Sequence, residues 1–225
     1  MARVLLTRAR GRNRALADAL SHLDCVVVPL IGFEPVPHTL PGHVDRVVVT
    51  SATVFRVASL PQAPLAVVGP ATLHAARAHG FEPDVVAPKA LGASLVDALG
   101  DVDGQRVLYP RAETVPPGFE AALTQRGAQL ISVPVYRTMC PPDAQRDLAH
   151  ALPADWVVFC SGSAARHWVA CEGPALPAVC IGPSTAAVCR DLGLPIAAVA
   201  DPHTTAGVVQ AVAQLTDTTP GSGPW

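Results

Sequence analysis

Lysine is almost missing from this chain: Lys89 is the only one among 16 basic residues, and the rest are arginine. A bias that uniform reads as codon usage rather than as a designed binding surface. Charge of either sign is sparse, 15% of residues, with a formal net charge of −2 and a pI near 6.4. No global positive field is available to recruit nucleic acid or an anionic membrane, so an anionic ligand must be held by local groups. No apolar run approaches the ~20 residues of a membrane span, and the one in "MARVLLTRAR" is too short for a signal peptide, so the expected location is cytoplasmic. The six cysteines (Cys25, Cys140, Cys160, Cys171, Cys180, Cys189) match neither CxxC nor zinc-ribbon spacing, and the eight histidines show no ligand spacing. Reduced, mostly buried thiols and no metal are expected. GxGxxG and GxxxxGK[ST] are both absent, which leaves dinucleotide and P-loop readings without support.

What the chain does have is apolar material, 50% of its 225 residues, enough for two domains of about 100 residues each. Short apolar runs recur, among them "VLL" at 4–6, "VVV" at 47–49, "LAVV" at 65–68, "RVLY" at 106–109, "WVVF" at 156–159 and "AVCI" at 178–181. They lack polar alternation, as strands buried on both faces do. Ala-rich, glycine-terminated segments such as "ATLHAARAHG" and "STAAVCRDLG" lie between them and read as helices. The alternation predicts an α/β fold of parallel sheets with helices on both faces.

The pattern occurs twice. With a shift of 113, Gly69, Pro70, Thr72, Arg77 and Gly80 meet Gly182, Pro183, Thr185, Arg190 and Gly193. Upstream, "VVVTSATVF" at 47–55 resembles "VVFCSGSAA" at 157–165, and "VLLTRA" at 4–9 resembles "VLYPRA" at 107–112. Two similar lobes are therefore expected. The proline-flanked segments 28–37 and 133–142 interrupt the βα rhythm and read as linkers or edge strands. The end of the chain from 216 to 225 has the composition of a disordered tail.

Ligands of parallel α/β sheets bind beyond the carboxyl ends of the strands. The residues there are Thr7 and Arg8; Thr50 and Ser51; Gly69, Pro70 and Thr72; Arg111; Ser161, Gly162 and Ser163; Gly182, Pro183, Ser184 and Thr185. Hydroxyls, glycines and arginines with hardly a carboxylate suit an anion. The same Ser, Thr and Pro are also what a plain helix start needs, so capping is the competing reading. Arg8 and Arg111, at matched positions, are either solvated or carboxylate clamps. Tyr136 stands opposite Ile31 of the other copy, where the repeat breaks symmetry; it is either a packing aromatic or a phenol serving as donor or general acid. Ser163, Arg166 and His167 lack a GxSxG elbow and a companion acid, so a hydrolase is set aside.

From Val4 to about Val212 these motifs, in this order and spacing, resemble the uroporphyrinogen-III synthase family: "VLLTRA", "VVVTSA", "VVGPAT", "VLYPRAE", "VPVYRT", "VVFCSGSA", "IGPSTAAVCRDLG" and "TTAGVVQAV". The resemblance implies two flavodoxin-like lobes joined by a two-stranded linker (28–37 and 133–142), with the first βα unit belonging to the carboxy-terminal half. One lobe then holds 1–32 plus 140–215 and the other 37–134. It also implies a lyase, acting on hydroxymethylbilane without a cofactor, with Tyr136 as general acid and Thr72, Ser184 and Thr185 as anchors. A monomer served by hydroxymethylbilane synthase goes with that reading. Cys160 stands where the family commonly has threonine, and "ETVPPGF" at 113–119 replaces a more polar helix start. The rival from another class is a non-catalytic two-lobed tetrapyrrole- or anion-binding regulator.

Overall fold

The computed structural model describes residues 1–115 and 117–218. In chain order the elements are β1 (Arg3–Leu6), α1 (Arg14–Ala19), β2 (Asp24–Val27), β3 (Gly32–Pro35), β4 (Arg46–Val49), α2 (Val54–Val57), β5 (Leu65–Val67), α3 (Pro70–Ala78), β6 (Val85–Val86) and α4 (Gly92–Ala98). There follow β7 (Arg106–Ala112), α5 (Phe119–Gln125), β8 (Gln129–Met139), α6 (Ala144–Ala151), β9 (Trp156–Phe159), α7 (Gly162–Ala170), β10 (Ala178–Cys180), α8 (Pro183–Asp191), β11 (Ile196–Val199) and α9 (Thr205–Thr218). The chain divides into two compact units, Met1–Gly32 with Met139 onward, and Phe33–Thr138.

The first unit is built on a five-stranded sheet in the order β11-β10-β9-β1-β2, with every pair parallel. The second has six strands in the order β3-β8-β7-β4-β5-β6, and β8-β7-β4-β5-β6 are again parallel throughout. Matching β7, β8, β4, β5 and β6 to β1, β2, β9, β10 and β11 through the repeat gives both sheets the flavodoxin-like order 2-1-3-4-5. In the second unit the first two strands of the repeat come last in the chain. The first unit is discontinuous for the complementary reason.

The unbroken apolar runs follow from burial on both faces. Side chains alternate along a strand. Leu5 joins Val157, Phe159 and Trp168 in one cluster, which α6, α7 and α8 cover, while its neighbours Val4 and Leu6 join Val158, Val179 and Val208 in another, against α1 and α9. The second unit repeats this: Val47, Val49 and Leu108 face α2 and α3, and Val48, Val107 and Tyr109 face α4 and α5.

The chain passes between the units within 28–37 and 133–142, the segments read as linkers or edge strands, and each carries a paired strand. β8 runs for 11 residues and lies one strand in from the edge, between β7 and β3, with Val135 fully buried. Pro134 is unusual there, because a proline argues against an interior strand. Here it pairs with Arg111 at the point where the β7–β8 register shifts, an irregularity that tolerates a missing N–H. On the amino-terminal side, Val28 and Leu30 are fully buried in the first unit's core, and β3 is the edge strand. At the carboxy terminus α9 continues to Thr218, so residues 216–218 are helical rather than tail. The remainder of that tail, 219–225, lies outside the described residues.

Candidate functional site

Each unit presents its own set of polar groups beyond the carboxyl ends of its strands. In the first, Thr7 is fully buried and its Oγ1 donates to the Val158 carbonyl at 2.6 Å, tying β1 to β9. Its role is structural. Arg8, next along, donates from Nη1 to Thr205 Oγ1 at 3.3 Å, and its backbone is held by the Asn13 side chain. Burial pushes the Cys160 thiol above its usual value, with Arg8 pulling it partly back, so the sulfur stands there as a neutral group.

Ser161 is a helix cap: its Oγ accepts the Ala164 N–H at 3.2 Å at the start of α7. Gly162 is there for space, since a Cβ would meet Val188 Cγ2 at 2.8 Å where α7 lies against α8. Ser163 is half-buried on the first turn. α8 starts differently, with Gly182 as cap, Pro183 at the first helical position, Ser184 exposed and Thr185 buried at 3%.

The second unit has the counterpart turn. Gly69 caps α3 at φ 140°, a conformation open to glycine, and Pro70 and Thr72 follow, Thr72 exposed by only 4%. Neither α3 nor α8 has a side-chain cap. Thr72 and Thr185 are thus not N-caps; they sit in the third helical position, and the first N–H groups of both helices receive no capping side chain. Plain capping therefore accounts for Ser161 and not for the two Gly-Pro turns. Ser51 makes a local turn, accepting the Thr53 N–H at 3.3 Å.

Arg111 does clamp a carboxylate, but one of its own chain. Nε lies 2.7 Å from Glu120 Oε1 and donates to Ser132 Oγ at 2.7 Å, Nη1 donates to the Ala112 and Glu113 carbonyls at 2.8 and 2.9 Å, and Ser132 donates to Glu120 at 2.5 Å. Only Nη2 is left without a partner among the described residues. The expected external clamp is spent internally because strand pairing brings Ser132 of β8 and Glu120 of α5 to it.

Tyr136 is 5% exposed, with its ring packed edge-on to Phe33 at 5.7 Å inside the core of its unit. It pairs with Ala112. Since Val47 is level with Leu108, β4 ends level with Pro110, and Tyr136 stands past that level at the carboxyl end of the sheet. No hydrogen bond ties up its hydroxyl among the described residues.

A second phenol escaped the sequence reading. Tyr109 of β7 bonds Thr50 Oγ1 at 3.1 Å, stacks obliquely on Phe119 at 4.8 Å and lines a cavity of ≈580 Å³. It was hidden inside an apolar run. The signal was present nonetheless: its counterpart in the other copy is Leu6, the kind of broken symmetry that drew attention to Tyr136. Burial pushes the Tyr109 pKa up, Thr50 and Arg111 pull it back, and Glu120 and Tyr136 push it further. A phenol with a raised folded-state pKa contributes stability that is complete below its unfolded value near ~10 and is lost as pH rises through the folded value. The chain has two tyrosines, so Tyr136→Phe leaves Tyr109 alone for titration. Its phenolate absorbance is expected to rise with a midpoint above ~10, and a midpoint at or below that value would refute the burial argument.

Among the described residues no group of three or more His, Cys, Asp or Glu could hold a metal, and no helix is long and apolar enough to cross a membrane. The uroporphyrinogen-III synthase of Synechococcus elongatus is 28% identical over 94% of both chains. The solved uroporphyrinogen-III synthetase of Helicobacter pylori superposes with a TM-score of 0.72 at 15% identity, covering 96% of this chain and 100% of that one. A mutant uroporphyrinogen III synthase of Thermus thermophilus gives 0.58 at 19% identity, covering 96% and 99%. At those identities the two structures speak for the fold alone, and it is the fold described above. The sequence pattern of the family described as "Uroporphyrinogen-III synthase HemD" matches residues 14–210, nearly the whole of both units. A paired set of flavodoxin-like sheets, with uncapped Gly-Pro helix starts at matched positions, thus coincides with a family match across most of its length: the chain belongs to the uroporphyrinogen-III synthase family.

Proposed function

We propose that the chain converts hydroxymethylbilane to uroporphyrinogen III, inverting the last pyrrole ring and releasing water. The observation that carries this reading is the family match over residues 14–210. The polar groups agree with it. The substrate is a linear tetrapyrrole with an acetate and a propionate on each ring, and α3 and α8 each begin with a Gly-Pro turn and no capping side chain. Helix starts of that kind carry partial positive charge and N–H groups without a capping side chain, although at α3 the Thr72 N–H is already given to the Gly69 carbonyl at 3.1 Å. Gly69, Pro70 and Thr72 in one unit, and Gly182, Ser184 and Thr185 in the other, are the anchors of this reading, with Arg8, Ser51, Ser161, Gly162 and Ser163 beside them. Arg111 contributes through Nη2 alone.

In the reaction the terminal hydroxyl leaves as water and generates an azafulvene. The last pyrrole is attacked at its substituted carbon, passes through a spiro intermediate and closes inverted. Without an enzyme the bilane closes uninverted, so catalysis consists of holding one conformation and assisting departure of the hydroxyl. Tyr136 is the residue assigned to protonate it, a phenol past the carboxyl end of β4. No cofactor is called for in this scheme. A cytoplasmic monomer receiving its substrate from hydroxymethylbilane synthase belongs to the same reading, as do lobes bounded at 1–32 plus 140–215 and 37–134.

The test is to give purified protein hydroxymethylbilane and separate the oxidised products by chromatography. Type III product above the spontaneous background is expected. Type I alone would favour a binding protein instead.

A further inference from the structure

We infer that the cavity beside Tyr109 is a subsite for one pyrrole ring of the linear tetrapyrrole, with the ring's N–H directed at the Thr50–Tyr109 hydroxyl pair. The inference rests on the functional reading above and adds a place for the ring itself. The cavity, ≈580 Å³, is roomy for a substituted five-membered heterocycle and lies wholly within the second unit. Its floor is the end of β4 and the middle of β7, the two strands between which the sheet order reverses, and ligands of open α/β sheets bind beyond strand ends at such a point.

The lining decides what enters. It includes Val68, Gly92, Phe119 and Ala122, with the hydroxyls of Thr50 and Tyr109 among its few polar groups, and no charged side chain takes part. A carboxylate buried there would lose its hydration with no cation to replace it. A pyrrole ring has the opposite needs. It is flat and apolar on its faces, and its one polar group is an N–H donor. The Thr50 and Tyr109 oxygens, 3.1 Å apart, share one proton between them and keep lone pairs free to accept another. Tyr109 stays a neutral phenol because burial raises its pKa. Half-buried Phe119 gives the heterocycle an aromatic wall, backed by the tilted Tyr109 ring, which is itself only 2% exposed. Its acetate and propionate arms then point out of the cavity, toward solvent and the backbone donors beyond the strand ends.

Gly92 fits this picture, since a Cβ there would meet the Phe119 ring at 2.9 Å and disturb the wall. The lone phenol also explains the broken repeat: Leu6 at the equivalent place has no hydroxyl, so the first unit offers no matching acceptor.

The experiment combines kinetics with binding. Tyr109→Phe keeps the ring and removes one of the two acceptor oxygens; Ala122→Leu keeps the hydroxyls and fills the space. Each is expected to raise KM for hydroxymethylbilane by about tenfold with kcat changed less than about threefold, as loss of one hydrogen bond or of ring-sized space implies. Thermal melts identify a variant that fails to fold. Independently, a monopyrrole bearing one acetate and one propionate is titrated into the labelled wild-type protein, and the amide resonances of Gly92, Ala93 and Ala122 are expected to shift. An active wild type whose two variants keep their KM, or pocket amides that stay still at saturating monopyrrole, overturns the subsite. A wild type that makes only type I product while those amides move overturns the functional reading and leaves the subsite standing.

Discussion

Replacing Tyr136 by phenylalanine is expected to slow formation of the type III product by roughly 10²–10⁴, the usual contribution of a positioned general acid. The substitution disturbs little else. The ring is 5% exposed and packs on Phe33, contacts that a phenylalanine ring reproduces. The Tyr136 backbone carbonyl accepts the Glu113 N–H at 2.7 Å, which a side-chain change leaves in place. Stability should therefore stay within ~1 kcal/mol of wild type, since the hydroxyl makes no hydrogen bond to the described residues. Loss of the acid has a second signature. Spontaneous closure continues at its own rate and gives the uninverted ring, so the ratio of type III to type I product should collapse along with turnover. A variant with unchanged kinetics and product ratio would remove the acid role and direct attention to Tyr109.

The largest expected loss of stability is at Trp168. It is fully buried in α7, packs edge-on to Phe159 at 5.7 Å, and donates from Nε1 to the Pro174 carbonyl at 3.0 Å. Trp168→Ala removes the largest side chain of the first unit's core and leaves a cavity that the surrounding sheet cannot collapse into, at about 3–5 kcal/mol. The Pro174 carbonyl also loses its donor. Trp168→Phe should recover most of the packing and none of the hydrogen bond, and so fall between the two. Urea unfolding followed by circular dichroism measures both, with separate transitions for the two units treated as such. The other end of the same helix is started by Ser161, Gly162 and Ser163. A loss below ~1 kcal/mol for Trp168→Ala would mean that the helix is anchored by other contacts.

Much of the fold was legible in short stretches of chain. Val47, Val48 and Val49 are buried on alternating faces of one strand, so no polar residue interrupts the run and its length alone signals a parallel, doubly covered strand. The Gly-Pro turns were legible for the same local reason, since Pro suits the first position of a helix and nothing later. The segment 133–142 was less so: Pro134 looks like a boundary until the register shift opposite it is known.

The functional groups divide along another line. Sequence alone determined which residues gather beyond the strand ends, because strand and helix periods are local and the repeat doubles the evidence. Tertiary structure decided which of those groups already have partners. Arg111 is held by Glu120, Ser132 and two carbonyls at every nitrogen but Nη2, Ser161 accepts from its own helix, and Thr72 and Thr185 do not cap theirs. The pairing of Tyr109 with Thr50, 59 residues away and just past the end of β4, is visible only in the fold. A hydrogen-bond donor's availability depends on what the sheet register sets beside it, and register is settled by packing between segments distant in the chain.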